Sequence, residues 1–266
     1  CAEKLGHKAL AVNLSDLAAM GALPRYATLA LTLPAISEAW LAAFSRGFFA
    51  LADEYQVELI GGDTTRGPLS ITLTAFGEVD IGHAIRRDGA KEGDDIWISG
   101  SLGAAALALK HLRGDITLQP GIFERAVRHL EAPHPRIALG RTLVGVATSA
   151  VDISDGLVAD LAHICRLSGL AAIVEWSTVP LADTLQTVSI KQQRVCALSG
   201  GDDYELCFTA PAINRDLLRD LSTASGLALT RIGQMKSGEP FVRVNDERGE
   251  ALALQSCGFD HFAIDD

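Results

Sequence analysis

The sequence predicts an α+β fold, because strand-like and helix-like segments follow one another along its 266 residues without an internal repeat. Two further observations support this class. Hydrophobic residues make up 48% of the chain and charged residues 21%, which is ordinary usage for a globular protein with a buried core. The joints between predicted strands and helices are rich in glycine, serine and aspartate, residues that turns favour.

The first half of the chain is predicted to contain four strands and two helices. Residues 26–33 alternate between apolar and polar side chains and are followed by proline, which indicates a strand. Ser37 is a suitable N-cap for a helix that runs to about residue 55, because aromatic residues recur there at helical spacing. Further strands are predicted at residues 57–60, 69–79 and 95–99, and a helix follows to residue 112.

The second half begins after a break in the pattern. Pro133 and Pro135 bracket His134, so we predict two domains, residues 1–132 and residues 133–266. Predicted helices of the second domain lie at residues 136–145, 157–167 and 214–224. Its predicted strands lie at residues 150–153, 171–176, 195–198, 204–209, 227–232 and 241–244.

Composition and charge exclude several classes of function. The formal net charge is −10, which argues against general binding to nucleic acid or to an anionic membrane. No apolar stretch is long and uncharged enough to span a bilayer, and no secretory signal opens the chain. The five cysteines form no CxxC pair, which favours reduced thiols in a cytoplasm. Because the chain starts at Cys1 in the middle of a well-formed pattern, we expect a fragment or a processed chain.

Aspartate follows an apolar strand at three joints of similar composition. These are Gly61-Gly62-Asp63, Asp152-Ile153-Ser154-Asp155-Gly156 and Ser199-Gly200-Gly201-Asp202-Asp203, with a fourth acidic turn at Asn13-Leu14-Ser15-Asp16. Short aspartates are hard oxygen ligands of the kind that Mg²⁺ prefers, and glycine lets the backbone approach a ligand closely. Several such aspartates in one cleft would repel one another unless cations lay among them. The repetition therefore predicts a site for several magnesium ions.

Each joint taken alone also has a structural explanation. Asp155 and Asp16 are suitable helix caps, and the glycine pairs are suitable turns. Asp152 is harder to explain in this way, because an acid is unfavourable inside a strand. The turn at residues 100–103 is either an anion-binding nest or a tight connection between a strand and a helix. The sequence contains neither a P-loop motif nor a GxGxxG motif.

Together these motifs closely resemble those of the bacterial thiamine-monophosphate kinase family. The resemblance rests on the runs at residues 8–22, 59–68, 152–157, 199–206 and 258–262, which occur in the family's order and spacing. It implies the PurM-like two-domain α+β fold, with an N-terminal α/β domain whose sheet pairs across a homodimer and a C-terminal α+β domain. It also implies Mg²⁺ as cofactor, with ATP and thiamine monophosphate as substrates.

The resemblance implies roles for individual residues. Magnesium ligands are expected at Asp16, Asp63, Asp152 and Asp155, and the first three are expected to be catalytic. ATP contacts are expected at Gly62, Asp63, Arg87 and Ser154, and thiamine contacts at Asp202 and Phe259. Further ligands of the family come from a segment that would precede Cys1. The expected reaction is direct in-line transfer of the ATP γ-phosphoryl group to the acceptor phosphate.

Two alternatives remain open at this point. One is another PurM-like ATP-dependent synthetase, which would share the fold but act on a different substrate. The other is a non-catalytic dimer that binds magnesium and nucleotide.

Overall fold

The structure, a computed structural model, describes residues 1–253 and residue 258. The strands are β1 Leu23–Leu33, β2 Glu58–Arg66, β3 Ser70–Glu78, β4 Asp95–Ser99, β5 Ser149–Asp152, β6 Ala171–Glu175, β7 Leu206–Ala210, β8 Leu229–Lys236 and β9 Val242–Asn245. The α-helices are α1 Ala2–Ala19, α2 Glu38–Tyr55, α3 Ala104–Arg113, α4 Pro120–Glu131, α5 Ile137–Thr142, α6 Leu157–Ser168, α7 Ile190–Arg194 and α8 Arg215–Ser225. Among the helices described, none is both apolar enough and long enough to cross a membrane.

The first strands form a three-stranded sheet in the order β2-β1-β3. β1 pairs in parallel with β2 and antiparallel with β3. α1 packs on β1 and β3, and α2 packs on α1, so that Leu10, Leu14 and Phe48 are almost fully buried. The opposite face of the sheet carries Tyr26 and Phe76, which are paired in the register and both more than 40% exposed.

The remaining strands form a six-stranded sheet in the order β5-β7-β4-β8-β6-β9. β7 lies between β5 and β4 and runs antiparallel to both. The C-terminal ends of β4 and β5 therefore meet the N-terminal end of β7 at one edge of the sheet. The loops that leave this edge contain most of the acidic residues that the sequence analysis singles out.

Several predicted elements are confirmed nearly to the residue. The strand at residues 95–99 is β4, and the helix predicted from Ser37 is α2, where the Ser37 hydroxyl accepts the Trp40 amide at 3.3 Å. The helix predicted at residues 157–167 is α6. Strands and helices thus form the predicted α+β architecture. Strong periodicity and a good N-cap are enough to identify these elements without tertiary information.

The strand predicted at residues 195–198 is wrong. This segment is helical, and it continues from α7 as a π-helix over Val195–Ser199. Cys196, Ala197 and Leu198 are fully buried against the large core cluster. A short buried apolar run has no periodicity that separates a strand from a helix, and the Ser189 capping box that starts α7 decides for the helix.

Two predicted acidic turns also differ in the structure. Asp16 lies within α1 instead of in a turn, because Leu10, Leu14 and Ala18 continue the buried helical stripe past it. The Gly61-Gly62-Asp63 segment lies inside β2, which pairs with β1 as far as Arg66. The parallel pairing with β1 extends the strand through glycines that would break it in isolation.

The boundary between residues 132 and 133 stays a prediction. The helix α4 ends at Glu131, next to the predicted break. The strand β4, which precedes that break, belongs to the six-stranded sheet together with all the later strands. The sheets therefore divide the strands between β3 and β4.

Candidate functional site

Two carboxylates from different parts of the fold lie near each other where α1 meets the end of β5. Asp152 ends β5 and is only 3% exposed, whereas Asp16 lies on an exposed part of α1. Burial and the nearby Asp16 charge raise the pKa of Asp152 to about 7. Burial also raises the pKa of Asp16, although the Arg87 guanidinium acts in the opposite direction. We call Asp16 and Asp152 the acidic pair.

The acidic pair fits a divalent cation. In the part of the chain that the structure describes, no lysine or arginine forms an ion pair with Asp152. The buried Ser15 hydroxyl lowers the pKa of Asp152 somewhat, yet it makes no hydrogen bond of standard geometry. Two close acids and an unpartnered oxygen are costly without a cation. Within residues 1–253 and 258, however, no three acidic, histidine or cysteine side chains converge into a complete metal site. Magnesium would then need water or phosphate oxygens as further ligands.

The loop that follows Asp152, residues 153–156, is held by one carboxylate. The Asp160 Oδ2 atom accepts the backbone N–H groups of Ser154, Asp155 and Gly156, each at 3.0 Å. We call residues 153–156 the Ser-Asp-Gly loop. Its backbone amides point inward to Asp160, and its Ser154 and Asp155 residues line an open cleft.

A second loop, residues 200–205, packs directly on the first. The Asp202 amide donates to the Ser154 carbonyl at 2.9 Å, and the Tyr204 amide donates to the Ile153 carbonyl at 2.8 Å. At Gly201 a Cβ atom would lie 2.2 Å from the Ser154 carbonyl oxygen, so only glycine permits this approach. We call residues 200–205 the Asp-Asp-Tyr loop. The two predicted aspartate motifs therefore form one surface.

The Asp202 carboxylate is paired across the fold with α1. Lys8 Nζ lies 2.7 Å from Asp202 Oδ1, and the Tyr204 hydroxyl donates to the same oxygen at 3.1 Å. Asp202 and Tyr204 both have positive φ, +67° and +51°, although neither is glycine. Such backbone conformations cost energy and occur preferentially at functional sites. Lys8 belongs to the run at residues 8–22, but the sequence assigns it no role, because its partner is 194 residues away.

An open cleft of about 770 Å³ lies beside these two loops. Ser154, Asp155 and Asp202 line one part of it, and Lys110 and Arg113 of α3 line another. A cleft with carboxylates on one wall and cations on another suits a phosphorylated ligand that binds with a metal ion. The two cations of α3 have no distinguishing pattern in the sequence, because only the packing of the helix brings them to the cleft.

A buried ion pair at Glu205 holds the C-terminal end of the Asp-Asp-Tyr loop in place. Arg136 binds Glu205 in a bidentate manner, and the Ser99 hydroxyl donates to the same carboxylate at 2.5 Å. Glu205 is only 5% exposed, and these partners compensate its buried charge. Neighbouring Asp203 accepts the Gly103 amide at the start of α3, and burial raises its pKa well above the usual range. These acids position the loop and do not face the cleft.

The structure brings only some of the predicted site residues close together. Arg87 is close enough to Asp16 to affect its pKa, and its carbonyl accepts the Ser168 hydroxyl at 3.2 Å. Gly62 and Asp63 lie instead on exposed β2, where Asp63 Oδ1 accepts the Thr64 amide at 2.8 Å. Phe259 lies outside the described residues.

Two sheets joined by α1, with aspartates gathered at one sheet edge, define the class of AIR synthase related proteins. The family model of the AIR synthase related protein N-terminal domain matches residues 2–79. The model of the corresponding C-terminal domain matches residues 91–245. These matches cover both sheets of the fold.

Comparison with individual relatives shows which family within this class the chain belongs to. The chain is 48% identical over 265 residues to thiamine-monophosphate kinase of Escherichia coli strain K12, covering 97% of this chain and 80% of the relative. The crystal structure of thiamine-monophosphate kinase from Stenotrophomonas maltophilia K279a superposes with a TM-score of 0.89 at 50% identity, covering 94% of this chain and 80% of that one. AaThiL, solved in complex with AMPPCP and TMP, superposes with a TM-score of 0.85 at 28% identity, covering 98% and 81%. The chain belongs to the thiamine-monophosphate kinase family.

Proposed function

We propose that this protein phosphorylates thiamine monophosphate to thiamine diphosphate with ATP as phosphoryl donor. The observation that carries the proposal is the acidic pair, in which Asp152 is buried and has no ion-pair partner among the described residues, near a cleft that has both carboxylate and cationic walls. The relatives support the same activity, because AaThiL is solved with AMPPCP and TMP. A phosphoryl transfer between two polyanions needs charge neutralisation and alignment more than it needs a general base.

Magnesium, when bound, would supply the charge neutralisation between donor and acceptor phosphates. The acidic pair would hold it, with Asp155 and Asp63 as the further predicted ligands. Asp152 is well suited to this role because it is rigidly placed at the end of a strand and is almost fully buried. Asp63 would join the site only if β2 of this chain or of a second chain faces the same cleft.

The remaining predicted residues would bind and orient the two substrates. We assign ATP contacts to Gly62, Asp63, Arg87 and Ser154, and thiamine contacts to Asp202 and Phe259. The acceptor phosphate is ionised at neutral pH, so no side chain of the protein has to remove a proton from it. In-line geometry would then depend on how the Ser-Asp-Gly loop and the Asp-Asp-Tyr loop hold donor and acceptor.

Replacement of Lys8 tests the assignment of Asp202 to the acceptor site. Lys8→Met keeps the aliphatic stem and removes the ammonium group that fixes the Asp202 carboxylate. We expect the KM for thiamine monophosphate to change by about tenfold, equivalent to about 1.4 kcal/mol, while the KM for ATP stays within about twofold. Steady-state kinetics with each substrate varied in turn measures both values.

Lys4→Met is the matched control for this variant. Lys4 lies one turn earlier on α1 and pairs with Glu131, away from the two loops. A half-exposed surface ion pair contributes little, so its kinetics should equal those of the unchanged protein. Equal changes in both KM values for Lys8→Met would contradict the assignment of Asp202.

We further propose a cytoplasmic homodimer that binds neither nucleic acid nor membrane. The exposed face of the three-stranded sheet, which carries Tyr26 and Phe76 near one end, supports pairing with a second copy. The net charge of −10 supports the absence of polyanionic partners. Sedimentation equilibrium tests the dimer, and a single species of 28.1 kDa would contradict it.

The function itself is tested by following product formation with several acceptors. Thiamine diphosphate should form only with ATP, Mg²⁺ and thiamine monophosphate together, and chelation of the metal with EDTA should lower turnover at least about a thousandfold. Addition of Mg²⁺ in excess should restore it. ADP release with another acceptor in place of thiamine monophosphate would favour a related synthetase. Nucleotide binding without any product would favour a non-catalytic binding protein.

A further inference from the structure

The Ser-Asp-Gly loop is organised by a carboxylate for which neither the predicted ligand set nor the relatives supply a role. Asp160 lies in the first turn of α6 and is 3% exposed. Its Oδ2 atom accepts three successive backbone amides, from Ser154, Asp155 and Gly156, all at 3.0 Å. Gly156 is the N-cap residue of α6 and the other two donors precede it, so the carboxylate holds the loop that leads into the helix as well as the helix terminus.

This arrangement fixes which groups the loop presents to the cleft. Three consecutive amides that point toward one oxygen form a concave backbone like those that bind anions in other proteins. Here the concavity is filled by the protein's own carboxylate. The Ser154 and Ile153 carbonyls point the other way and accept the amides of Asp202 and Tyr204. Residues 154 and 155 are then left at the wall of the cleft.

Asp160 is almost fully buried near two other acids, Asp152 and Asp155. A third acid at such a place is unfavourable unless hydrogen bonds compensate its charge. The three amides of residues 154–156 supply these hydrogen bonds, so the position of the carboxylate and that of the loop depend on each other.

We propose that Asp160 is a positioning residue, which holds the Ser-Asp-Gly loop so that Ser154 and Asp155 meet the metal-bound nucleotide. The inference rests on the proposed function. Asp160 touches neither substrate. It acts through the three amides, and through them on the two residues that line the cleft.

The test compares Asp160→Asn with a matched control at another buried carboxylate. Asp95 is fully buried at the opposite end of β4, where it binds Arg215 and Arg231. Both changes keep the shape of the side chain and remove one buried negative charge, and a cooperative thermal unfolding transition verifies that each variant is folded. Only Asp160→Asn should weaken binding of AMPPCP in the presence of Mg²⁺, by about tenfold, as measured by calorimetry.

Hydrogen exchange of residues 154–156 supplies a second readout that does not depend on nucleotide. These amides should exchange faster in Asp160→Asn and be unchanged in Asp95→Asn. Faster exchange with unaltered AMPPCP affinity would overturn the positioning role, and so would an equal loss of affinity in Asp95→Asn. If the unchanged protein binds AMPPCP but forms no thiamine diphosphate, the proposed function fails while the role of Asp160 in nucleotide binding stands. If it binds no AMPPCP, both fail.

Discussion

Asp152→Asn should lower kcat at least about a thousandfold while leaving the fold intact. The substitution removes a buried charge that the proposed metal site needs and keeps the shape of the side chain. Product formation under saturating ATP, Mg²⁺ and thiamine monophosphate measures the loss. Asp220→Asn, the same change at an exposed position of α8, should leave turnover unchanged. Turnover of Asp152→Asn within about tenfold of the unchanged protein would remove Asp152 from the mechanism.

The same variant should be more stable than the unchanged protein when metal is chelated. The folded protein holds the pKa of Asp152 at about 7, above the value of the unfolded chain, because of burial and Asp16. Between these two pKa values the folded state binds a proton that the unfolded state releases, so stability falls as the pH rises from about 4 to about 7. Asn cannot ionise, so at pH 8 the variant should gain on the order of 2–4 kcal/mol in free energy of unfolding.

The gain should shrink as the pH falls toward about 4, and it should shrink when Mg²⁺ is added to the unchanged protein. Urea unfolding at pH 5 and pH 8, with EDTA or with Mg²⁺, measures these differences. A variant that is equally or less stable at pH 8 in EDTA would show that burial and the Asp16 charge do not disfavour the ionised Asp152 carboxylate in the folded protein.

Gly62→Ala should destabilise the protein strongly, and its neighbour provides the control. A Cβ atom at Gly62 would lie 1.9 Å from the Leu29 carbonyl oxygen, and φ there is +146°. Strain and overpacking together should cost on the order of 3–5 kcal/mol. Gly61 has no atom within 4 Å of an added Cβ and no positive φ, so Gly61→Ala should change stability by less than about 1 kcal/mol.

Urea unfolding of both variants with metal and nucleotide absent separates this structural effect from any contact with ATP. Similar stabilities for the two alanine variants would show that β2 does not approach β1 as closely as the structure has it. In that case the glycine at position 62 would be required by the ligand alone.

The sequence determined the elements whose physical cause is local. The apolar stripe and the Ser37 cap specify α2, and the alternating residues specify β1, because periodicity and capping act over a few residues. The same local information misassigned residues 195–198, where a short buried run suits either structure. The α+β class and the three aspartate motifs were likewise visible without coordinates.

Only the tertiary structure decided which of these residues meet. Asp16 is next to Asp152 because α1 packs against the end of β5, and Lys8 reaches Asp202 along the same helix. Asp160 was overlooked because its role depends on loop amides that converge only after folding. Charge repulsion, burial and hydrogen bonding at a site depend on distances in space. A sequence fixes these distances only through the packing of the whole chain, so the site's chemistry follows from its residues and its geometry from the fold.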